Sequence, residues 1–228
     1  MGRHRVVDAA ASMLLGAACP GCGNPTARLC PRCRDEIRAL AAAPVAVRGI
    51  GVPVVAAGPH QGVLRALVIA YKERQAWWLN ADLGPPLAES VARALLEAGG
   101  RVPAGVVLVP VPSLRSSVRV RGLDTTRALA VRAARLLSAS GLPARVEASL
   151  LHARSTADQA ELGERARREN LRGALVARPG APGVRVLVDD LTTTGASLAE
   201  GCRALAVATT PVTACAVVAA TPRRDARR

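Results

Sequence analysis

The sequence predicts an α/β protein in which a parallel sheet lies between layers of helices, with a small cysteine-rich segment near the amino terminus. From residue 106 onward, apolar runs of β-forming residues alternate with helix-forming stretches, which is typical of a parallel sheet. The runs are apolar at successive positions, so we expect both faces of the sheet to be covered. Four cysteines in CPGCGNPTARLCPRC indicate a metal site in a reducing compartment.

The composition favours a globular protein that associates with anions. Half of the 228 residues are hydrophobic and none is Phe, so Ala, Val and Leu must fill the core. The formal net charge of +14 attracts polyanions such as phosphates, nucleic acid or an anionic membrane surface. Lys72 is the one lysine among 31 basic residues. Either arginine will not serve at this position, or its presence in an arginine-rich composition is chance.

The amino-terminal segment MGRHRVVDAAASMLLGAAC has the composition of a signal peptide, with a basic start and an apolar run. Asp8 interrupts that run, and the stretch 9–18 is far shorter than the roughly 20 residues that span a bilayer. We interpret it as a short helix that leads into the metal site. No other segment reaches transmembrane length without Pro or a charge, so we expect a cytoplasmic protein with no transmembrane segment.

Gly, Pro and apolar periodicity define the elements before residue 100. A short helix follows the cysteines and ends at Pro44, and a strand or hairpin comes next. Helices are expected from Gln61 to Arg74 and from Pro86 to Ala98. The predicted organisation is a helix and four-cysteine knuckle over residues 1–45, a hood or connecting segment over 46–100, an α/β core over 101–222 and a basic tail over 223–228.

The core is predicted as strands that alternate with helices. VVLVPVP is a strand, TTRALAVRAARLLSAS is an amphipathic helix ending at Gly141, and ARVEASLLHAR is strand-like. An Arg-rich polar segment follows, and the remaining elements are the strands ALVAR and VRVLVDD, the helix SLAEGCRALAVA and the strand VTACAVVAA. Right-handed crossovers bring the carboxyl ends of the strands to one edge, where ligands bind in open α/β sheets.

The stretch VRVLVDDLTTTGAS places polar residues at that edge. Asp189 and Asp190 follow the strand 184–188, and a hydroxyl-rich turn leads into the next helix. Backbone N–H groups in such a turn, with a helix N-terminus behind them, form an anion site, and Gly195 allows close approach of a ligand. Carboxylates beside a phosphate suit a ligand that also carries ribose hydroxyls. The motif therefore predicts a 5-phosphorylated ribose; the alternative is a helix cap without a ligand.

This string resembles the 5-phosphoribosyl-1-pyrophosphate (PRPP) motif of type I phosphoribosyltransferases. Three further stretches, LVIAYKERQ, VPVPSLRSSVRVRGLD and RSTADQAELGERARRENLRGAL, resemble motifs of one subfamily, ComF (also called GntX-like). These are proteins of natural competence with a phosphoribosyltransferase domain. With the four-cysteine knuckle, the resemblance covers nearly the whole chain in the family's order.

The resemblance implies a type I phosphoribosyltransferase fold over the 101–222 core and a function in transferring or sensing phosphoribosyl groups, linked to DNA uptake. The residues it implies for PRPP binding are Asp189, Asp190, Thr192, Thr193, Thr194, Gly195, Ala196 and Ser197. The candidates for the pyrophosphate and for a mobile lid are Lys72, Arg121, Arg154, Gln159, Arg167 and Asn170. Mg²⁺ is expected with PRPP, and the implied partners are PRPP or a nucleotide phosphate, single-stranded DNA and the DNA-uptake machinery.

The chain departs from the family pattern at four positions. Asp124 stands where the family usually has Asn, which adds a negative charge to a loop expected to face phosphate. Thr125 replaces Gln, Gln75 replaces Gly, and Leu175 replaces Phe. The PRPP motif itself is intact.

The cysteine spacing C-x2-C-x7-C-x2-C suits a tetrahedral zinc ion. The four ligands are Cys19, Cys22, Cys30 and Cys33, and Gly21 and Gly23 ease the first turn. Four thiolates leave no open coordination position for catalysis, so a structural Zn²⁺ is expected. An iron–sulfur cluster is the alternative.

Several other features have both a structural and a functional interpretation. The segment 154–172 is interpreted as a salt-bridged surface helix, as a lid over pyrophosphate, or as both. The loop 115–127 contains four arginines. It is expected either to clamp pyrophosphate or to follow a nucleic-acid backbone. Trp77 and Trp78 either stack on bases or place at least one ring in the core. His4, His60 and His152 are expected to be surface or packing groups, and Cys202 and Cys215 are expected to be buried packing residues.

Three functions remain open from the sequence. The first is an enzyme that transfers ribose 5-phosphate from PRPP to an acceptor, including a nucleotide salvage enzyme, with electrostatic stabilisation of the leaving pyrophosphate. The second is a nucleic-acid-binding competence factor without transferase activity, whose binding would depend steeply on salt. The third is a regulator of purine metabolism without activity.

Overall fold

The computed structural model describes residues 17–47, 50–99, 104–153, 173–180 and 183–222. The helices are α1 (Pro31–Ala42), α2 (Gly62–Glu73), α3 (Asn80–Gly99), α4 (Arg115–Arg121), α5 (Thr125–Ala139) and α6 (Ala196–Val207), with a 3₁₀ turn over Trp77–Leu79. The strands are β1 (Val45–Ala46), β2 (Val54–Pro59), β3 (Val106–Pro110), β4 (Ala144–Val146), β5 (Leu150–His152), β6 (Leu175–Ala177), β7 (Val184–Thr192) and β8 (Ala214–Ala220).

A mostly parallel sheet forms the centre of the molecule. Within the described ranges its strand order is β1-β2-β8-β7-β3-β4, and every neighbouring pair is parallel except β1 with β2. The pairing of β7 with β8 extends to Thr192 opposite Ala220, whereas β3 ends opposite Val188. The longer β7 therefore carries its last residues beyond β3, at the carboxyl edge of the sheet.

Helices and a small hairpin cover the two faces of this sheet. Val186 and Val188 face the layer built from α1, α3 and α5, and Leu187 between them faces α6. The antiparallel pair β5–β6 lies on the same side as α6. The predicted α/β class, with a mostly parallel sheet between helices, is confirmed by this arrangement.

The knuckle residues join the core of the larger helical layer. Cys19, Leu29 and Cys33 are almost fully buried and belong to the same apolar cluster as Leu83 of α3 and Val186 of β7. The domain boundaries at residues 45, 100 and 222 stay predictions.

Four elements differ from the sequence-based expectation. Helix α3 begins at Asn80, six residues before the predicted start at Pro86, and includes two prolines in its second turn. The predicted loop 115–127 contains α4, which ends at the left-handed Gly122 with a φ of 73°. The strand predicted over 184–188 continues to Thr192. The predicted strand ALVAR pairs only with β5 in a separate antiparallel sheet, within the part of the chain that is described.

Some predictions lie outside the described residues. These are the short helix before the metal site, the segment 154–172 and the basic tail. In the regions that the structure covers, none of the helices combines the length and apolarity needed to cross a membrane.

Candidate functional site

A cleft of about 750 Å³ opens at the carboxyl ends of β3 and β7. Its walls include Lys72 from the last turn of α2, Arg121 from α4, Asp189 from β7 and Ser197 from α6. These four side chains come from widely separated parts of the sequence, and each belongs to the predicted PRPP or pyrophosphate set. The fold therefore brings together residues from three stretches identified in the sequence: the segment with Lys72, the loop with Arg121 and the motif with Asp189 and Ser197.

Asp189 and Asp190 have different surroundings, although they are adjacent in β7. Successive residues of a strand point to opposite faces, and Asp189 lines the cleft while Asp190 is only 1% exposed. The Asp190 N–H donates a hydrogen bond to Asp189 Oδ1 at 2.9 Å. This contact fixes the Asp189 carboxylate relative to the strand and leaves its other oxygen available to a ligand.

Lys72 forms an ion pair with the buried aspartate. Its Nζ donates a hydrogen bond to Asp190 Oδ1 at 3.0 Å. Burial lowers the pKa of Lys72, but the carboxylates of Asp190 and Asp189 outweigh that effect and raise its pKa above the usual value. Asp190 Oδ2 is also buried and has no hydrogen-bond partner among the described residues. Lys72 is therefore a charged ammonium group held between the two carboxylates.

Two contacts hold the end of α2 in place. The hydroxyl group of Tyr71 donates a hydrogen bond to the Thr125 carbonyl at the start of α5, at 3.1 Å. Arg121 Nη1 donates to the Lys72 carbonyl at 3.2 Å, and its Nε donates to the Ser117 carbonyl at 3.1 Å. Helices α2, α4 and α5 are thereby joined around Lys72.

The other predicted pyrophosphate and lid residues cannot be placed in this cleft. Arg154, Gln159, Arg167 and Asn170 belong to the segment outside the described residues. Of the sequence-predicted cations of this group, Lys72 and Arg121 are the two that the described structure brings together.

The turn between β7 and α6 places a left-handed glycine directly before the first residue of α6. Gly195 has a φ of 81°, in the left-handed region that favours glycine. A Cβ at this position would lie 2.9 Å from Ile50 Cδ1, so a larger residue would also require the Ile50 side chain to shift. The Ala196 N–H, the first of α6, donates to Thr194 Oγ1 at 3.3 Å.

The hydroxyl groups of this turn differ in exposure. Thr192 is 5% exposed and ends β7, where its carbonyl accepts from the Thr221 N–H at 2.9 Å. Thr193 is exposed, and Ser197 lines the cleft. Thr193 and Ser197 are thus accessible to a ligand, whereas Thr192 supports the strand.

Burial raises the pKa of Asp189 well above its usual value, and the neighbouring Asp190 carboxylate raises it further. The Lys72 ammonium opposes this shift. Two carboxylates within one short segment of β7 therefore share a single lysine. A ligand that donates hydrogen bonds or brings a cation would stabilise the ionised form of Asp189.

His60 was expected to be a packing or surface residue, yet it lies at the same edge of the sheet. It follows β2, and its N–H donates to the Ala220 carbonyl at the end of β8, at 2.7 Å. Burial lowers the pKa of its imidazole, and the cations Arg65 and Lys72 lower it further. The sequence signal that could have identified it is its position directly after the segment predicted as a strand or hairpin.

Asp124 has a structural contact that explains its presence in the chain. Its carboxylate caps α5 by accepting from the Arg127 N–H, and it also accepts from Ser113 Oγ, both at 3.1 Å. Aspartate is a favoured residue at the N-cap of a helix. It lines a separate cavity of about 360 Å³ beside β5 and α4, and it is not among the residues that line the larger cleft.

Gln75, which stands where the ComF family has Gly, lines the larger cleft in a strained conformation. Its φ is 56°, in the left-handed region that costs an L-residue about 1–2 kcal/mol. The chain turns sharply between α2 and the 3₁₀ turn, and this turn places Gln75 in the left-handed region.

The four cysteine sulfurs lie within 4.8 Å of one another. Cys22 Sγ and Cys30 Sγ are 3.6 Å apart, close to the roughly 3.8 Å that a tetrahedral zinc ion with 2.3 Å Zn–S bonds requires. A Cβ on Gly21 would lie 2.8 Å from Cys33 Sγ, so glycine is needed for the fourth ligand to approach. The donor set and its spacing fit a structural zinc ion.

Backbone amides prepare the knuckle for a thiolate. Burial raises the pKa of Cys19, but N–H groups of Cys30, Cys22 and Gly21 lower it to about 7 overall. Burial and the neighbouring thiols raise the pKa of Cys33. A cation that neutralises the cluster would favour deprotonation of all four sulfurs.

Both tryptophans are partly exposed, so the expectation that at least one ring lies in the core is wrong. Trp77 is 37% exposed and Trp78 is 44% exposed. The Trp77 ring lies beside Gly122, because a Cβ there would be 3.8 Å from its Cη2 atom. The 3₁₀ turn buries Leu79 instead, so a smaller aliphatic side chain fills the core position.

Comparison with known proteins does not assign a family. No protein-family model matches the chain, and no curated protein matches it. The ComF resemblance therefore stays a prediction, and function has to be argued from the cleft and the cysteine cluster.

Proposed function

We propose that this protein is a PRPP-binding, phosphoribosyltransferase-like member of the ComF family with the type I phosphoribosyltransferase fold. The observation that carries the proposal is the convergence of Lys72, Arg121, Asp189 and Ser197 on one cleft. The cations suit the pyrophosphate of PRPP, the carboxylate suits its ribose hydroxyls, and the hydroxyl-rich turn suits its 5-phosphate. The cleft also lies at the carboxyl edge of a mostly parallel sheet, where such ligands bind.

The 5-phosphate binds at the turn between β7 and α6. The left-handed Gly195 and the N-terminus of the 12-residue α6 provide backbone donors. Hydroxyls of Thr193 and Ser197 add contacts, since both are accessible.

Asp189 accepts hydrogen bonds from the ribose hydroxyls. Asp190 serves mainly to hold Lys72, because its Oδ1 is engaged at 3.0 Å and its side chain is buried. Lys72 and Arg121 then face the pyrophosphate, and the resemblance adds Arg154 and Arg167 from the segment 154–172.

The reaction needs no protein nucleophile. Departure of pyrophosphate leaves an oxocarbenium-like ribose, and fixed cations stabilise the charge that develops on the leaving group. Mg²⁺ would neutralise the pyrophosphate, with oxygen ligands from the phosphates and from carboxylates at the cleft, where Asp189 and Glu73 are available.

Calorimetric titration of the zinc-loaded protein with PRPP and Mg²⁺ tests the assignment. We expect saturable binding to the native chain and at least tenfold weaker binding to Asp189→Asn, which keeps the acceptor for the Asp190 N–H. The matched control is Asp35→Asn, which removes an exposed carboxylate on α1. Equal PRPP affinities of Asp189→Asn and Asp35→Asn would contradict the assignment.

Replacing both adjacent aspartates of β7 gives a stronger version of the same test. Asp189→Ala with Asp190→Ala is expected to abolish PRPP binding and to leave the zinc content unchanged, because the knuckle lies on the helical layer. If the double variant binds PRPP as tightly as the native chain, the assignment of PRPP binding to the end of β7 and the following turn is wrong.

A second candidate, nucleic-acid binding in natural competence, is favoured by the exposed tryptophans. Trp77 lies beside Gly122, the residue after Arg121 at the end of α4, and Trp78 is its exposed neighbour in the chain, so an exposed aromatic ring lies close to a cation-bearing segment. Bases stack on aromatic side chains while cations contact the backbone of single-stranded DNA. Competence DNA-uptake proteins would be the partners in that case.

The tryptophans provide the test of this second candidate. Trp77→Ala with Trp78→Ala is expected to weaken binding of an oligothymidylate at least tenfold. The control Leu96→Ala truncates another exposed apolar side chain, on α3. If both variants bind as the native chain does, the tryptophans have no role in nucleic-acid binding.

A further inference from the structure

Cys202 and Cys215 form a close thiol pair on the face of the sheet opposite the cysteine knuckle. Their Sγ atoms are 3.6 Å apart, one on α6 and the other on β8. Both were expected to be buried packing residues. That is confirmed for Cys215, which is fully buried, but Cys202 is only partly buried. Cys202 is therefore the more exposed of the two residues and Cys215 the protected one.

We propose that this pair is a site of reversible oxidation, at which a peroxide converts the two thiols into an intramolecular disulfide. The inference rests on the contact between the sulfurs, on their unequal exposure and on the absence of a metal role for either thiol in the described cluster of four cysteines. It is independent of the PRPP site, since no cleft residue takes part.

The two thiols are chemically unequal in a way that suits this reaction. The hydrogen bond with Cys215 lowers the pKa of Cys202. The same contact, together with burial, raises the pKa of Cys215. Cys202 is thus the sulfur that ionises and reacts first, because the thiolate is the nucleophile, and Cys215 is the resolving thiol.

The reaction balances in two steps. The Cys202 thiolate attacks a peroxide oxygen, the O–O bond breaks, and hydroxide leaves with formation of a sulfenic acid. The Cys215 sulfur then attacks the Cys202 sulfur, and water leaves as the S–S bond forms. Overall, two thiols lose two electrons and two protons, hydrogen peroxide becomes two molecules of water, and a dithiol reductant reverses the change.

Closure of the bond requires the two sulfurs to move closer together. The sulfurs must approach from 3.6 Å to about 2.05 Å. Gly201, next to Cys202, keeps the helix close to the sheet, because a Cβ there would lie 2.9 Å from Leu187 Cδ2. The disulfide would then tie the middle of α6 to β8, and α6 begins directly after Gly195.

Peptide mapping tests the proposal on the zinc-loaded full-length protein. Hydrogen peroxide is added at low molar excess, remaining thiols are blocked with N-ethylmaleimide, and the chain is cut with trypsin. Cleavage after arginine places Cys202 in peptide 186–203 and Cys215 in peptide 204–223. We expect these two peptides joined with the loss of two hydrogens, and their separation by dithiothreitol.

Single variants distinguish the pair from nonspecific oxidation. In Cys215→Ser the sulfenic acid at Cys202 has no resolving thiol, so it should accumulate and react with dimedone. In Cys202→Ser, Cys215 should stay reduced at the same peroxide dose. Recovery of both native cysteines as maleimide adducts, or a disulfide between Cys202 residues of two molecules, would overturn the proposal.

Discussion

Asp189 and Asp190 are neighbours in β7, but the alternation of a strand gives their carboxylates different tasks. Asp189 faces the cleft, whereas Asp190 is buried against the ammonium of Lys72. The single lysine of the chain has a physical role here. A compact ammonium group satisfies one buried carboxylate oxygen, whereas a planar guanidinium would bring five donors into the same space.

Asp189→Asn is expected to stabilise the folded protein at neutral pH. Because the pKa of Asp189 is raised from 3.8, its ionisation costs folding free energy as the pH rises above that value. Thermal unfolding should show a higher midpoint for the variant at pH 7, and the difference should shrink as the pH falls toward 4. A lower midpoint at pH 7 would mean that the ionised carboxylate stabilises the fold.

Asp190→Asn is expected to lower the pKa of Lys72. Burial alone lowers the pKa of this amine, and the Asp190 carboxylate is the largest contribution in the opposite direction. Reductive ¹³C-methylation labels this lysine and the terminal amine, so an NMR titration of the lysine signal reads the pKa directly. The control Asp35→Asn should leave the titration unchanged; an unaltered lysine pKa in Asp190→Asn would contradict the ion pair.

The same ion pair makes a prediction about alkaline stability. Since the folded pKa of Lys72 is raised from 10.5, its contribution is fully present below that pH and is lost as the pH rises through the folded value. Urea denaturation should therefore show an alkaline loss of stability above pH 10.5 that is smaller in Lys72→Met, which cannot ionise. If the native protein and Lys72→Met lose the same stability above pH 10.5, the ion pair between Lys72 and Asp190 does not contribute to stability.

At the scale of elements, the metal site fixes the start of α1. Cys30 is the N-cap of α1, Pro31 follows it, and Cys33 lies in the first turn. A metal ion bound by these cysteines would hold the start of α1 and the preceding loop to the helical layer. Structural zinc in small segments contributes on the order of 10 kcal/mol to folding.

Cys22→Ser is therefore expected to remove the metal and destabilise the protein. Elemental analysis should give about one zinc per native chain and almost none for the variant, with a lower thermal midpoint. Cys202→Ser is the matched control and should retain full zinc content. Unchanged zinc in Cys22→Ser would exclude the four-cysteine site, and bound iron in the native chain would favour the alternative cluster.

Gln75→Gly tests the strained turn that follows α2. Relief of the positive φ of Gln75 should stabilise the fold by about 1 kcal/mol, partly offset by the greater freedom of glycine in the unfolded chain. The control is Arg74→Gly, at a neighbouring position with a φ of −104°, which should destabilise. Urea denaturation compares the two, and equal destabilisation would show that the turn stores no strain.

The order of strands and helices could be predicted because apolar runs and helical periodicity alternate along the core. Element ends were less predictable. The apolar pattern stops at Val188, but β7 continues to Thr192 because backbone pairing with β8 does not depend on side-chain polarity. Helix α4 was missed because its Arg-rich sequence lacks an apolar stripe, although Gly122 at its end was a usable signal.

At the scale of the molecule, the candidate site could be predicted only as separate pieces. The turn after β7 was identified in sequence because it is local. The contact of Lys72 with Asp190 spans 118 positions, and spacing along the chain does not specify how α2 approaches β7. The exposure of Trp78 was missed because Leu79, rather than an aromatic ring, fills the core at that turn.

The overall charge of +14 makes a prediction for the nucleic-acid candidate. Each phosphate that a cation neutralises contributes about −0.7 to the slope of log affinity against log salt for single strands. Three contacts would weaken oligothymidylate binding by about tenfold or more between 50 and 200 mM salt. Excess PRPP with Mg²⁺ should also displace the oligonucleotide if both use the Lys72 cleft.

The location of the aromatic residues makes the intrinsic tryptophan fluorescence of the protein a useful signal. Trp77 and Trp78 are both exposed, Trp77 lies beside the end of α4 that lines the cleft, and the single tyrosine is buried with its hydroxyl group bonded to the start of α5. Tryptophan emission should therefore begin at long wavelength in the native state and change little on unfolding. The same emission will respond to events at the mouth of the cleft, so quenching by small solutes can follow the site without any attached dye.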